Sequence, residues 1–269
     1  MRRVDEAVPL PGRGAAAYLD IAAVVAAAKG AGCDAVHPGY GFLSENAAFA
    51  TACADAGLVF VGPTPEQLAL FGDKARARDH AAACKVPVLP GTGIVDLDGA
   101  AAFLGRHAAN GIVLKAIAGG GGRGLRVVRD AAELPEAFAR ASAEALAAFG
   151  NGDLYAERLV GRARHVEIQV VGDGKGGVVA LGDRECTLQR RSQKIVERAP
   201  SLALKVGLRS ALVDGAVAMA KAVKYRSLGT VEFLVDGDYF FFIEANPRLQ
   251  VEHTVTEEVW GVDLVKTQL

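Results

Sequence analysis

Residues 231–253 read VEFLVDGDYFFFIEANPRLQVEH, and this stretch decides the fold of the C-terminal half. Two runs of aromatic and β-branched residues flank the turn Asp236–Asp238, which is typical of a β-hairpin. Each run holds one acidic residue, Glu232 or Glu244. If the loop has three residues, position 232 faces 242 and position 230 faces 244, so both glutamates lie on one face. A two-residue loop would place them on opposite faces.

This pair of glutamates predicts a cation site. Two carboxylates on one face of a hairpin repel each other unless a cation lies between them. The neighbouring sequence offers oxygen ligands and no nearby histidine or cysteine, which favours Mg²⁺ or Mn²⁺ completed by phosphates and water. A single glutamate in such a strand is usually exposed at a sheet edge, so that alternative stays open.

The chain continues from the hairpin as a regular alternation of polar and apolar side chains. In an extended strand, every second side chain points to the same face. A strand face exposed to solvent gives the same pattern and remains an alternative. The order acid, amide, base, amide, acid favours a binding site with an arginine for a small oxyanion and a carboxylate as general base. The row consists of Glu244, Asn246, Arg248, Gln250 and Glu252.

A glycine-rich segment, KAIAGGGGRG at residues 115–124, lies between two predicted strands. Four consecutive glycines cost conformational entropy, and their bare backbone N–H groups suit phosphate oxygens. The segment is neither a Walker loop, since no GK[ST] follows, nor a dinucleotide fingerprint, since a strand follows it. Lys115 before the glycines and Arg123 after them favour a lid over phosphates. A flexible hairpin loop is the alternative.

Residues 182–200, GDRECTLQRRSQKIVERAP, contain a basic cluster that predicts an anion-binding loop, with an exposed basic loop as the alternative. Its basic and amide residues are Gln189, Arg190, Arg191, Gln193 and Lys194. His165, which opens the strand HVEIQVV, is more often a structural histidine when taken alone.

The remaining sequence predicts an α/β chain whose C-terminal part is α+β, with a mostly antiparallel sheet. Upstream, short strands alternate with helices that we expect Asp20, Ser44 and Thr64 to cap. A fourth helix covers about 73–85 and leads into VPVLPG, the first boundary.

Composition excludes several classes of protein. The 269 residues are 51% hydrophobic and carry 30 basic against 31 acidic side chains, so neither disorder nor attraction to nucleic acid is expected. No apolar run reaches the length of a membrane span, and the first residues do not resemble a signal peptide. The four scattered cysteines are typical of reduced thiols, so we predict a cytoplasmic location.

Taken together, seven segments resemble the biotin carboxylase family of the ATP-grasp fold. They are HPGYGFLSEN (37–46), FGDK (71–74), KAIAGGGGRGLRVV (115–128), RHVEIQV (164–170), QRRSQKIVE (189–197), GTVEFL (229–234) and IEANPRLQVEHTVTE (243–257). The resemblance implies a partial Rossmann-like N-terminal domain over 1–62 and a helical connector over 63–86. It further implies a small glycine-loop lid subdomain over 87–160 and a catalytic subdomain over 161–269. Compared with the family, the chain is expected to be truncated at both ends.

The resemblance also implies a reaction. ATP with Mg²⁺ or Mn²⁺ phosphorylates bicarbonate to carboxyphosphate, and the carboxyl group passes to biotin on a carrier protein or domain. The resemblance further implies a carboxyltransferase as a partner, within a carboxylase of the acetyl-CoA or acyl-CoA type or within a pyruvate carboxylase. The implied partners include a possible homodimer, but no nucleic acid and no membrane. A carbamoyl-phosphate synthetase-like ligase and an inactive ATP-binding fragment are the alternatives.

Roles are implied for individual residues where the motifs match. The implied catalytic set is Lys194, Arg248, Gln250, Val251 and Glu252, with Glu252 as the base that deprotonates bicarbonate. The implied nucleotide set is Lys74, Lys115, Gly120, Gly121, Gly122, Glu157, Leu159, His165, Gln189 and Gln193. The implied metal ligands are Glu232, Glu244 and Asn246. Ala118 and Ser192 depart from the family pattern, and Ser192 is expected to weaken one nucleotide contact.

Overall fold

A computed structural model describes residues 4–117, 124–190 and 193–269. The predicted lid glycines Gly120, Gly121 and Gly122, together with Ser192, lie outside these ranges. The described residues form a two-stranded parallel sheet, a four-stranded sheet and a five-stranded sheet, with helices packed on them. Across those ranges, none of the helices combines the length and the apolarity that a bilayer span requires.

The first segment contains α1 (Ile21–Gly30), β1 (Ala35–Val36), α2 (Ala47–Asp55) and β2 (Val59–Phe60), with β1 parallel to β2. The predicted cap of α1 is confirmed, because the Asp20 side chain accepts a hydrogen bond from the Ala23 N–H.

The predicted Ser44 cap of α2 is wrong. Ser44 is buried in a turn closed by its own N–H bonding to the Gly41 carbonyl. The Asn46 side chain instead accepts from the Phe49 N–H and caps the helix.

Two helices, α3 (Pro65–Gly72) and α4 (Lys74–Ala83), connect the first segment to the rest. Thr64 and Gln67 form a reciprocal capping box at the start of α3. The Gln67 amide also donates to the carbonyls of Val223 and Lys224, so this helix is held against the C-terminal sheet.

The four-stranded sheet has the antiparallel order β3-β6-β4-β5. Its apolar side chains alternate along the strands, so α5 and α6 cover one face. The other face carries Val113, Lys115 and Tyr155 toward a cleft. The elements are β3 (Gly91–Val95), α5 (Leu97–Arg106), β4 (Ile112–Ala116), β5 (Arg126–Val128), α6 (Leu134–Phe149) and β6 (Leu154–Arg158).

The five-stranded sheet has the antiparallel order β11-β10-β7-β8-β9, which confirms the predicted antiparallel C-terminal half. Leu212, Ala216 and Met219 of the long helix α7 are buried in a core shared with the sheet. The elements are β7 (Arg164–Asp173), β8 (Val178–Arg190), β9 (Gln193–Arg198), α7 (Val206–Ala222), β10 (Arg226–Asp236), β11 (Tyr239–Asn246), α8 (His253–Trp260) and α9 (Leu264–Gln268).

The basic segment is a hairpin rather than the predicted loop. Gln189 pairs with Lys194 and Leu188 with Val196, so β8 and β9 extend through most of it. The pairing of β8 with β9 fixes the position of Lys194 relative to the neighbouring strands of the sheet.

The predicted register of the β10–β11 hairpin is also wrong. Asp236 pairs with Tyr239, so the loop has two residues, and Glu232 pairs directly with Glu244. A register shift leaves Ile243 as an extra residue in β11, because Phe233 pairs with Phe242. This bulge reverses the effect of the shorter loop, and the two glutamates still share one face.

Candidate active site

Two adjoining cavities lie in the cleft between the two larger sheets. The first cavity, about 240 Å³, lies between the face of β4 and β6 and the ends of β10 and β11. The second cavity, about 500 Å³, lies over the end of β11 and the β8–β9 hairpin. Five side chains line both cavities: Lys74, His165, Gln189, Glu232 and Glu244.

A buried carboxylate organises the charges of the first cavity. Glu157 accepts from Lys115 Nζ at 2.5 Å through one oxygen and from the Arg78 guanidinium through the other. Burial disfavours the charged Lys115, but the charge of Glu157 outweighs it and raises the pKa of that lysine. Burial also raises the pKa of Tyr155 to about 12. Lys115 is therefore held as a cation at the cavity wall.

Lys74 supplies a second ammonium group, at the start of α4. Burial is the largest influence on it and lowers its pKa, and the charge of Glu244 is the largest influence that opposes this. Because Lys74 lines both cavities, it faces the border between them.

The remaining walls of the first cavity are largely apolar, which suits a flat aromatic base. Leu159 lines it, as the sequence predicted for the nucleotide set, and Val160 lies beside it without having been predicted. The other apolar lining residues are Leu89, Val113, Ala116, Leu125, Val127, Leu234 and Ile243.

Glu232 is the most heavily bonded carboxylate of the cleft. One oxygen accepts from Lys194 Nζ at 2.9 Å and from the Asn246 amide at 2.7 Å, while His165 Nε2 lies 2.7 Å from the other oxygen. Burial favours its neutral form, but the bonds and charges of His165 and Lys194 lower its pKa. Gln189 in turn places its amide nitrogen 2.8 Å from Nδ1 of His165, which fixes the ring.

Glu244 differs from its neighbour, because it takes part in none of the ion pairs found among the described residues. Burial, followed by the charge of Glu232, raises its pKa. A half-buried carboxylate that gains so little compensation inside the protein fits a bound cation.

Glu232, Glu244 and Asn246 together fit Mg²⁺ or Mn²⁺, which take oxygen ligands. The Asn246 side-chain oxygen accepts only a long bond of 3.2 Å from Arg248. Elsewhere in the described ranges, Glu167 belongs to two clusters of possible ligands, one with His165 and Glu232 and one with Cys186 and Glu252. The ammonium of Lys194 already lies among the three glutamates of those clusters.

Lys194 is shared by three carboxylates. Its Nζ lies 2.5 Å from Glu167, 2.9 Å from Glu232 and 2.7 Å from Glu252. Burial disfavours the cation, but Glu232 and Glu167 outweigh it and raise the pKa of Lys194. Burial works against the Glu252 carboxylate too, yet Lys194 lowers the pKa of that group, so it is ionised at neutral pH.

The segment after β11 converges on the second cavity by an unexpected route. The strand ends at Asn246, where Pro247 has no N–H for the ladder, and Glu252 stands at the N-terminus of α8. The segment therefore does not stay extended to 252, which was the condition for the row to share one strand face. All five polar residues of the row, Glu244, Asn246, Arg248, Gln250 and Glu252, nevertheless line the second cavity. Val251 and Gln193 line it as well.

Arg248 is held from the N-terminal segment. Its Nε donates to Glu45 at 2.6 Å, so a glutamate of the HPGYGFLSEN motif reaches the C-terminal site. Gln250 is buried, and its amide nitrogen lies 3.2 Å from Glu232.

Sequence reasoning gave no role to several charged residues in or next to this cleft, among them Glu45, Arg78, Glu167 and Arg184. For Glu167 a signal existed, because it interrupts an apolar strand as Glu232 does. Arg184 stands between Asp183 and Glu185, so it does not differ from its neighbours in the sequence. Glu45 and Arg78 carry no such signal, since their partners lie far away in the sequence.

Two family models match the chain. "Biotin carboxylase, N-terminal domain" matches residues 1–68. "Carbamoyl-phosphate synthase L chain, ATP binding domain" matches residues 73–269. Between them the two models account for nearly all of the sequence.

Among curated proteins, the chain is similar to the pyruvate carboxylase of Bacillus subtilis (strain 168), with 50% identity over 254 residues. That match covers 94% of this chain and 22% of the relative, so the chain spans about a fifth of the length of such relatives.

Among solved structures, the biotin carboxylase domain dimer of the Hydrogenobacter thermophilus 2-oxoglutarate carboxylase has a TM-score of 0.95 at 43% identity. The match covers 99% of this chain and 59% of that one, which is in complex with MgADP, ADP and bicarbonate. A biotin carboxylase β-γ-ATP complex from Campylobacter jejuni has a TM-score of 0.92 at 43% identity. This second match covers 96% of this chain and 58% of the Campylobacter jejuni chain. At these identities and scores the architecture is shared.

Proposed function

This chain belongs to the biotin carboxylase family and has its ATP-grasp fold, and on that premise we propose that it uses ATP and bicarbonate to carboxylate biotin on a carrier protein or domain. One observation carries the proposal above all others. A lysine, an arginine, an amide and a carboxylate converge on the second cavity beside the paired glutamates Glu232 and Glu244. That set can bind a small oxyanion, remove a proton from it and neutralise the resulting charge.

The first cavity is the proposed ATP site. Its apolar walls suit the adenine base, and we assign Leu159 and Glu157, which line the cavity, to contacts with that base. Lys115 and Lys74 place two ammonium groups along the way to the second cavity, where the phosphates would run. We assign His165 to the ribose, and Gln189 and Gln193 to the nucleotide and the loop above it. The proposed lid glycines, Gly120, Gly121 and Gly122, lie outside the described residues.

We assign Glu232, Glu244 and Asn246 as the ligands of Mg²⁺ or Mn²⁺. When bound, the cation neutralises phosphate oxygens during phosphoryl transfer. The similar carboxylase domain from Hydrogenobacter thermophilus contains MgADP, which supports this assignment.

In the proposed mechanism, Arg248 and Gln250 hold bicarbonate, assisted by the backbone of Val251. Glu252, whose lowered pKa keeps it ionised, accepts the proton of bicarbonate. A bicarbonate oxygen then bonds to the γ-phosphorus while the bond to the leaving ADP oxygen breaks, which gives carboxyphosphate. Lys194 and Arg248 stabilise the negative charge that builds up.

The second step transfers the carboxyl group. A ureido nitrogen of biotin bonds to the carboxyl carbon while the C–O bond to phosphate breaks, and the departing phosphate accepts the ureido proton. Carboxyphosphate decomposes in water, so a site that excludes water protects it during this step.

We propose that the whole protein is a biotin-dependent carboxylase with a carrier and a carboxyltransferase. The names of relatives point to pyruvate as the acceptor, and an acetyl-CoA or acyl-CoA type carboxylase is the alternative. The dimer recorded for the Hydrogenobacter thermophilus domain supports a homodimer here. A cytoplasmic location stays a prediction from the cysteine pattern.

ADP formation by the full-length protein tests the function. We expect turnover to require bicarbonate and Mg²⁺ and to rise when free biotin is added. ATP hydrolysis that ignores bicarbonate would contradict the proposal. Formation of carbamoyl phosphate when ammonia replaces biotin would favour the carbamoyl-phosphate synthetase-like alternative. The description of the longer matching family model names a carbamoyl-phosphate synthase chain, which is the reason to test this alternative.

A further inference from the structure

Arg184 of β8 is a fully buried arginine beneath the second cavity. A guanidinium has five N–H donors, and each donor of Arg184 has an acceptor. The acceptors are Glu167 (2.6 Å), Gln169 (2.8 Å), Thr230 (3.3 Å), Gln250 (2.8 Å) and Thr256 (2.8 Å). They come from β7, β10, the segment after β11 and α8, so one side chain ties the sheet to the region that carries Glu252.

The bond to Gln250 fixes which end of that amide faces the cleft. The Gln250 side-chain oxygen accepts from Arg184, which leaves its NH₂ group 3.2 Å from a Glu232 oxygen. Rotating the amide would turn its N–H donors against the donors of Arg184. Arg184 therefore keeps the donor end of Gln250 toward the cavity.

Through its bond to Glu167, Arg184 also influences the position of Lys194. One Glu167 oxygen accepts from Arg184 at 2.6 Å and the other accepts from Lys194 at 2.5 Å. Because both the carboxylate and the guanidinium are buried, the pair has little freedom to move. The position of the Lys194 ammonium depends on it.

We propose that Arg184 is a positioning residue that sets the orientation of Gln250 and the place of Lys194, and thereby the affinity of the site for bicarbonate. The last part rests on the proposed function. Arg184 does not line either cavity, so it acts through these two side chains and not by contact with a substrate.

Arg184→Lys is the sharpest test. Lysine keeps the positive charge, but its three donors on one nitrogen cannot reach five acceptors spread around a planar fork. In the full-length protein, we expect the KM for bicarbonate to rise at least about tenfold while the KM for ATP changes less than about twofold. Equal rises in the KM for bicarbonate and the KM for ATP, or an unchanged KM for bicarbonate, would overturn the proposal.

Arg164 offers a matched control on the same pair of strands. Its guanidinium binds Glu185 at 2.9 and 2.6 Å, and Glu185 is next to Arg184 on β8, so its side chain points to the opposite face. Arg164→Lys should lower thermal stability without a selective effect on bicarbonate. If both lysine variants raise the KM for bicarbonate alike, the effect is general and the proposal fails.

Two further variants keep the test decisive. In a Gln250→Ala background, Arg184→Lys should add less than its effect in the wild type, and full additivity would contradict action through Gln250. If Arg184→Lys does not fold, Thr256→Val removes one acceptor and leaves the ion pair. It should raise the KM for bicarbonate about threefold, and no rise would count against the proposal.

A crystal structure of Arg184→Lys separates the two inferences. If the wild type shows no bicarbonate-dependent turnover, the proposed function fails, but the positioning role remains testable by this structure. We expect the Gln250 amide to rotate and Lys194 to shift relative to Glu252. Unchanged positions of both side chains would refute the positioning role whatever the activity.

Discussion

The two cavities share a border but carry different balances of charge. The first is lined by three carboxylates and by three lysine or arginine side chains, within largely apolar walls. The second is lined by five carboxylates against three lysine or arginine side chains. Its acids are Glu45, Glu197, Glu232, Glu244 and Glu252. An anion entering the second cavity is therefore repelled until a cation is bound, whereas the first can accept a nucleotide base directly.

The largest expected effect is on the general base of the second cavity. Glu252→Gln keeps the size of the side chain but removes the proton acceptor. We expect bicarbonate-dependent ADP formation to fall at least about 100-fold. Binding of Mg-ATP, followed as a rise in melting temperature, should persist because the first cavity is untouched.

Glu258→Gln is the control for that change. Glu258 lies on the same helix but is exposed, and its removal should leave both measurements unchanged. Loss of the Mg-ATP shift in Glu252→Gln would mean that this residue supports the fold instead of the chemistry.

The second prediction addresses the first cavity. Lys115→Met removes the ammonium bound to Glu157 and leaves Arg78 as the partner of that carboxylate. We expect ATP to bind about 10–100-fold more weakly, since a hydrogen bond to a charged group is worth roughly 1.5–3 kcal/mol. The titration of melting temperature with Mg-ATP measures this, and Lys175→Met, on an exposed turn, is the control. Unaltered ATP affinity would exclude Lys115 from the phosphate path.

The third prediction uses the ion pair that joins the N-terminal segment to the second cavity. Arg248→Lys loses the planar fork and should raise the KM for bicarbonate about tenfold with little effect on ATP. Glu45→Gln should act in the opposite direction, because it frees Arg248 from a bond of 2.6 Å and removes one negative charge. Steady-state kinetics with bicarbonate varied at saturating ATP would measure both. Changes of the same sign would show that the pair acts only as a structural clamp.

Much of the cleft was predictable because its polar residues interrupt apolar patterns. Glu232 and Glu244 stand out in their strands, and the alternation from 244 to 252 indicates residues that meet in one place. Thr64 followed by Pro65 likewise predicted where α3 begins, and the structure confirms it.

Some of the errors have physical causes that local patterns do not contain. The bulge at Ile243 appears only in the pairing of β10 with β11, whereas the end of β11 at Asn246 coincides with Pro247, a local signal that the extended reading passed over. The contacts of Glu45 with Arg248 and of Arg78 with Glu157 join residues that are 203 and 79 positions apart. Only the fold brings such charges together, so the sequence alone does not reveal which residues form each pair.

The smallest effect is expected at the border between the cavities, where His165 lies beside Glu232. Burial disfavours the imidazolium, but the hydrogen bond and charge of Glu232 outweigh it and raise the pKa of His165 above 6.5. A group with a raised folded-state pKa stabilises the protein below its unfolded pKa, and this contribution is lost as pH rises through the folded value. The melting temperature of the wild type should therefore exceed that of His165→Gln most near pH 6, by about 2–4 °C for roughly 1 kcal/mol, and the difference should shrink toward pH 9. A difference that grows with pH would mean that His165 is neutral in the folded protein and that Lys194, Asn246 and Gln250 hold Glu232 without a charge on the imidazole.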